Sequence, residues 1–314
     1  MKGARTERRL GRPSPKTGAK DRSIQLGART LGVVSLCLAA AGALVALATP
    51  AGASAQTHRT HAKLSPPVIL TAGELQFCST IATPPIEYYT AGHVPIGTDV
   101  EIGNAIAREL GLKPVWLNVA FSGIIPALKA GHCDAIMSDL YIKPTRLGQV
   151  NFVPYMWASE SVVVKKGNPD HVTGMNKSLC GLAVATEVST TAAEYVTKTS
   201  KACAKAGKKT ITVADFPTPV TALQQVELGR DAAMATTTAN AAYYMKKRPG
   251  TFAFAGKPYG SILVGIAVNK GEPKLESAIT SAFKKVFKDG AYAKIFKKFD
   301  LARAELKKPI KNVG

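Results

Sequence analysis

The stretch FSGIIPALKAGHCDAIMSDLYIKPTR, residues 121–146, decides the fold. An aromatic residue and Ser122-Gly123 precede an apolar helix carried by Ile124, Ile125, Ala127 and Leu128. Gly131 stops that helix, and Ala135-Ile136-Met137 reads as a short buried strand. Polar groups stand where the strand ends: Ser138, Asp139 and Tyr141 at its carboxyl edge, then Pro144 at the first turn of a new helix with Arg146 inside that turn. A cation there opposes the positive end of the helix macrodipole, which costs about 0.3–1 kcal/mol unless an anion lies between them. The unit reads as a grip for an anion such as a carboxylate; the alternative is a surface arginine on a solvated helix start.

Working outward, strands and helices alternate on both sides. Upstream lie a strand at 75–79, a helix at 99–110 with Ile102, Ala105, Ile106 and Leu110 on one face and Gly111 as its stop, and a strand at 115–119. Downstream, strands at 161–165, 181–186, 210–214 and 231–235 alternate with helices at 190–206, 220–228 and 239–247. An apolar strand at 262–268 follows, and two amphipathic helices close the chain, with Leu275, Ile279, Phe283, Tyr292 and Phe296 as core stripes. This order predicts an α/β fold with mixed sheets covered by helices. The apolar strands 161–164 and 262–268 bracket the second series and are expected to cross between two lobes. The expected organisation is a first lobe at 71–162 completed by 262–303, a second lobe at 163–261 and a tail at 304–314.

Residues 1–55 form a different kind of segment. A basic start holding nine Lys/Arg, an uncharged apolar run at 31–48 and the small-residue site Ala53-Ser54-Ala55 make a secretory signal peptide cleaved before Gln56, or else an uncleaved anchor. Residues 56–70 are expected as a flexible linker. Cleavage removes nine of the chain's 41 basic and two of its 21 acidic residues and lowers the net charge from +20 to +13. Export argues against a nucleic-acid partner for that charge and leaves an acidic surface polymer or an anionic solute. The densest basic groups, at 205–209, 246–248 and 284–308, read as solvated helix faces or loops.

Four cysteines remain after cleavage, and they allow three pairings. Joining Cys78 to Cys133 and Cys180 to Cys203 keeps each bond inside one lobe. No C-x-x-C or H-x-x-x-H spacing occurs, so no metal is expected. No nucleophile–His–acid order is evident either, and no catalytic residue or cofactor is expected.

A set of motifs in fixed order carries a family resemblance over residues 72–302. It comprises Gly73-Glu74-Leu75, the turn Pro84-Pro85-Ile86-Glu87-Tyr88, Gly97-Thr98-Asp99-Val100-Glu101, Phe121 to Leu128 and Ile142-Lys143-Pro144-Thr145-Arg146. The second lobe adds Leu179-Cys180-Gly181, Thr190-Thr191, Gly229-Arg230-Asp231-Ala232 and Ala241-Ala242-Tyr243-Tyr244. In this order they resemble the extracellular solute-binding proteins of ABC importers, family 3, the branch that captures polar amino acids. The resemblance implies a two-lobed clamshell of the periplasmic-binding-protein kind, each lobe a mixed sheet flanked by helices, joined by two hinge strands. It implies a monomer that closes on a small carboxylate-bearing, amino-acid-like solute and docks on a membrane permease.

The same resemblance assigns residues. Phe121 would pack on the ligand, Ser138 would contact it at the strand end, and Arg146 would clamp its carboxylate. Thr190 would add hydroxyl and backbone N–H donors, or else serve as a plain N-cap of the helix that follows. Four positions depart from the pattern: Thr236 or Thr237 stands where a lobe-two aspartate meets the ligand ammonium, Thr83 where an aromatic is expected, Tyr141 where a small hydroxyl residue is expected, and Ser189 where a glycine is expected. A buried ammonium without a counter-charge is costly. Either Glu87, Asp139 or Glu187 replaces the missing acid, or the ligand is not an ordinary α-amino acid. The expected ligand-binding set is Glu87, Phe121, Ser138, Asp139, Tyr141, Arg146, Thr190 and Thr236. The rival readings are a dehydratase-like enzyme on the same fold and a ligand-sensing domain.

Overall fold

The computed structural model describes residues 64–314, so the predicted signal at 1–55 and the first part of the linker lie outside the described residues. The first lobe opens with β1 (Glu74–Ser79), a three-stranded ribbon of β2 (Ala82–Thr83), β3 (Glu87–Tyr89) and β4 (Pro95–Ile96), then α1 (Thr98–Glu109) and β5 (Lys113–Asn118). Next come α2 (Ile124–Lys129), β6 (Ala135–Ile136) and the four-residue α3 (Pro144–Leu147). The long β7 (Val150–Lys165) leads into the second lobe: β8 (Ala183–Glu187), α4 (Thr191–Lys205), β9 (Thr212–Phe216), α5 (Pro219–Glu227), β10 (Ala233–Thr237) and α6 (Thr238–Lys247). β11 (Phe252–Asn269) returns to the first lobe, where α7 (Pro273–Lys288) and α8 (Ala291–Lys298) pack on α1.

The main strands hydrogen-bond in the order β5-β1-β6-β11-β7-β10-β8-β9. β1, β5 and β6 run parallel at one end, β8, β9 and β10 run parallel at the other, and β7 and β11 lie antiparallel between them. The clamshell is therefore one ribbon of sheet whose two middle strands serve both lobes. Side chains alternate across it with the period of two that a strand imposes. In the first lobe Leu75 and Phe77 join a core with Ile102, Ile106, Phe283, Tyr292 and Phe296, while Cys78 joins Ile124, Leu128 and Phe152 on the other face. In the second lobe Val162 and Val164 pack with Val184 and Val196, and Val163 packs with Leu223 and Met234. Each such large apolar side chain stabilises the fold by about 1.5–3 kcal/mol when fully buried. The pairs Cys78 with Cys133 and Cys180 with Cys203 are disulfide-bonded.

Three stretches differ from expectation. β7 begins eleven residues before the predicted Ser161, because Pro154 sits opposite Gly265 at a register shift, where a strand tolerates a residue without an N–H. β11 begins ten residues before the predicted Ile262; the turn-forming Gly256, Pro258 and Gly260 coincide with register shifts between Ala255, Tyr259 and Ile262. The third is the end of the predicted flexible linker. Ile69 is buried in the first core, and the Leu70 N–H donates to Asp134 Oδ1 at 2.8 Å, which fixes this segment to the lobe. The tail also packs, with Leu306 buried and Val313 bridged to Phe152.

Candidate functional site

The carboxyl ends of parallel strands from both lobes converge on one cleft, the position at which α/β sheets place ligands. β6 delivers Ser138 and Asp139, β8 delivers Glu187, β10 delivers Thr236 and Thr237, and the middle of β7 delivers Glu160. The space among them, counted with the part open to solvent, is about 460 Å³. All eight residues predicted from the sequence, Glu87, Phe121, Ser138, Asp139, Tyr141, Arg146, Thr190 and Thr236, line this space.

Arg146 is 6% exposed and is the one basic side chain among the described residues that line the cleft. Its Nη1 donates to the Tyr141 carbonyl at 3.0 Å and its Nη2 to the Ser189 carbonyl at 3.5 Å, while Phe121 lies under the guanidinium with its ring centre 5.4 Å away. Two of five donors are thus engaged, and the guanidinium is aimed rather than consumed. Burial lowers its pKa to about 10, so it stays charged at neutral pH.

Facing this one cation are four carboxyl groups: Glu87, Asp139, Glu160 and Glu187, all buried. Ser138 holds the first of them, its hydroxyl accepting from the Thr80 N–H at 2.8 Å and donating to Glu87 Oε1 at 3.2 Å. Asp139 adopts a left-handed backbone, φ 44°, fixed by its N–H donating to Asp99 Oδ2 at 2.9 Å. One oxygen on each of the four, Glu87 Oε2, Asp139 Oδ1, Glu160 Oε2 and Glu187 Oε1, has no hydrogen-bond partner, and neither has the buried Tyr141 hydroxyl. Unpaired buried polar atoms cost free energy that a ligand's donors would recover.

Residues 75–301 match the model of the bacterial extracellular solute-binding proteins, family 3. The chain belongs to this family. It is 29% identical over 212 residues to the lysine/arginine/ornithine-binding periplasmic protein of Escherichia coli (strain K12), a match spanning 65% of this chain and 78% of that one. Among solved structures, an ancestral arginine-binding protein bound to arginine superposes with a TM-score of 0.67 at 31% identity, covering 72% of this chain and 98% of that one. An ancestral amino acid-binding protein, a precursor of cyclohexadienyl dehydratase, superposes with a TM-score of 0.63 at 30% identity, covering 72% and 95%.

In this family 3 solute-binding protein the cleft acids are pushed toward their neutral forms. Burial is the main cause that raises each acid's pKa: Glu160 to about 7 and Glu187 to about 8, the latter also by the charge of Glu160. Glu87 and Asp139 are raised well above the carboxylate range by burial and then by Asp99, with further contributions from Asp139 to Glu87, from Glu160 to Asp139, and from Glu187 to both. Asp99, behind the cleft, rises to about 7 through burial, although hydrogen bonds from the Asp139 N–H and the Tyr155 hydroxyl oppose this. Arg146 lowers Asp139, and the nearby Tyr141 hydroxyl and then Arg146 lower Glu160, but burial outweighs them.

The site corrects one expectation about this solute-binding protein. The Thr190 hydroxyl is fully engaged: it donates to the Glu187 carbonyl at 2.7 Å and accepts from the Ala193 N–H at 3.2 Å as the cap of α4. It is a helix cap rather than a free donor to a carboxylate. Its neighbour Thr191, whose hydroxyl is buried and unpartnered, also lines the cleft. Glu160 is absent from the set expected from the sequence. Its signal is an acid between serines in a run that continues as Val162-Val163-Val164, which marks a polar group in a buried strand.

Proposed function

We propose that this solute-binding protein captures an amino acid with a cationic side chain and delivers it to the permease of an ABC importer. The carrying observation is the charge pattern of the cleft, one buried arginine against four buried carboxyl groups with unpartnered oxygens. A zwitterion alone would match Arg146 with its carboxylate and one acid with its ammonium. A second cation on the side chain uses the acids left over. In this reading Arg146 and the Thr191 hydroxyl hold the ligand carboxylate, and Phe121 packs on the ligand. Ser138 positions Glu87, Tyr141 offers its free hydroxyl, Thr236 lines the lobe-two wall, and Asp139, Glu160 and Glu187 supply the negative charge that the missing lobe-two aspartate would have brought. The relatives named for lysine, arginine and ornithine support the same ligand class. Export through the signal at 1–55, a hinge near 162 and 262, and action as a monomeric binder without turnover belong to the same proposal.

The protonated state of the empty acids adds a linkage. A cation favours their ionised forms, so capture near neutral pH releases protons. Titration calorimetry against L-arginine, L-lysine, L-ornithine, L-glutamine and L-glutamate tests the proposal. The three cationic amino acids are expected to bind most tightly and glutamate not at all; glutamate binding as well as arginine would overturn it.

One observation favours a second reading. An acid with a pKa of about 8, as at Glu187, carries a transferable proton at neutral pH, the property of a general acid in a dehydration. Mass spectrometry of bound solute after prolonged incubation separates the two readings, because a binder returns its ligand unchanged.

A further inference from the structure

Besides Thr238, whose hydroxyl meets Ser159 on β7, and Ala239, which packs on the first-lobe core, three side chains of helix α6 reach the first lobe from one face. Asn240 Nδ2 donates to the Pro84 carbonyl at 2.9 Å, the Tyr243 ring meets Tyr88 with centroids 5.7 Å apart, and Lys246 pairs with Asp300 at 2.6 Å. The spacing i, i+3, i+6 puts these side chains along one stripe of the helix. They differ in depth. Lys246 and Asp300 are exposed, and such a pair contributes little. Asn240 is 1% exposed.

The orientation of the Asn240 amide follows from its neighbours. Pro84 offers only a carbonyl oxygen, so the nitrogen must face it, which turns Oδ1 toward the Thr236 hydroxyl, 3.4 Å away. Thr236 lines the ligand cleft, and Pro84 lies between the cleft residues Thr83 and Glu87. The chain Thr236, Asn240, Pro84 thus runs from the lobe-two wall of the cleft to its lobe-one wall without passing through the space a ligand would occupy.

We infer that Asn240 is a positioning residue that couples the second lobe's cleft wall to closure on the first lobe. This rests on the solute-capture reading above. Where an acid on β10 would draw the second lobe onto a ligand ammonium, this chain has a neutral threonine whose neighbour on α6 bonds directly to the other lobe. In a parted clamshell the Asn240 Nδ2 group and the Pro84 carbonyl are both hydrated; in the closed one they are buried against each other, and the hydrogen bond between them replaces that water. Closure therefore depends on Asn240 in the same way whichever cation the acids select.

The test uses Asn240→Ala, which keeps the backbone N–H that caps onto Thr237, and Asn240→Leu, which keeps the volume. Amide hydrogen exchange without added solute is followed in segments 83–89 and 236–244. Faster exchange in both segments of the variants is expected. A change confined to 236–244, or none at all, overturns the inference, because a residue that merely starts α6 cannot loosen the opposite lobe. In a second arm, stopped-flow binding of L-arginine is expected to show dissociation faster on the order of tenfold with association nearly unchanged. An association rate that falls instead, with dissociation unchanged, counts against it. Should the wild-type protein bind glutamine and not arginine, the cationic reading fails while the same kinetic arm runs on glutamine.

Discussion

The first lobe brings charge to the cleft, whereas the second brings hydroxyls and helix starts. Arg146, Glu87 and Asp139 sit on the first lobe, each held by a bond to its own lobe: Arg146 to the Tyr141 carbonyl, Glu87 to the Ser138 hydroxyl, and Asp139 to Asp99. The second lobe contributes Thr190, Thr191, Thr236, Thr237 and one acid, Glu187, while Glu160 lies on the β7 strand that both lobes share. The difference teaches a division of labour. Charges need rigid support to stay unpaired in a buried place, and the first lobe supplies it through its own core clusters and the packed tail at Leu306 and Val313. Neutral donors can move with the other lobe at small desolvation cost.

The comparison breaks most visibly at Arg146. Arg146→Ala removes up to two charge-assisted hydrogen bonds worth about 1.5–3 kcal/mol each, so arginine binding by calorimetry is expected to fall by at least about a hundredfold. Affinity retained within tenfold would move the carboxylate grip to the second lobe. Glu160→Gln comes next: arginine affinity is expected to drop by roughly ten- to a hundredfold, while glutamine affinity changes little. Equal losses for both ligands would mean that Glu160 serves the ammonium and not the side-chain cation.

Changing pH sharpens the contrast because it acts on the charged groups alone, and the signs are opposed. Below its folded pKa each acid is protonated, and a cation must displace that proton, so arginine affinity is expected to rise between pH 6 and pH 8 as Glu160 passes about 7 and Glu187 about 8. Stability without ligand runs the other way. Folded pKa values raised above the ordinary 4.5 contribute stability that is complete below that value and lost as pH climbs through about 7 and about 8. Thermal melts should therefore peak at mildly acidic pH while calorimetric affinity peaks above neutrality. The smallest effects belong to the hydroxyl wall. Thr191→Val should weaken binding by about tenfold or less, and Thr190→Ala should instead lower stability by about 1 kcal/mol through the lost cap, read by thermal unfolding.

Much of the first lobe's half of the site is legible in the sequence because it is local. Phe121, Ser138, Asp139, Tyr141 and Arg146 fall within 26 consecutive residues whose helix stop, strand and Pro-started turn each leave a signature. Glu160 escapes because Pro154 and the Gly256 to Gly260 run look like strand breakers; only the pairing of β7 with β11, whose partners lie 87 or more residues apart, shows them absorbed at register shifts. Which hydroxyl of Thr190 and Thr191 is free is likewise invisible, since both are threonines at a helix start and only the geometry of the cap separates them. The four orphaned carboxyl oxygens are a property of tertiary burial alone.

The tail carries a consequence of another kind. β10 pairs with β7 over Glu160 to Val164, leaving the first-lobe half of that edge open, and the tail closes it by bridging Met156 to Glu305 and Phe152 to Val313. An uncovered strand edge is a template on which other chains can polymerise, and this one would run beside the apolar Phe152, Tyr155 and Met156. Gly314 lies against Asn151 with no room for a further side-chain carbon. Residues 305–313 thus act as a selvedge on the woven sheet, binding off an edge that would otherwise stand open.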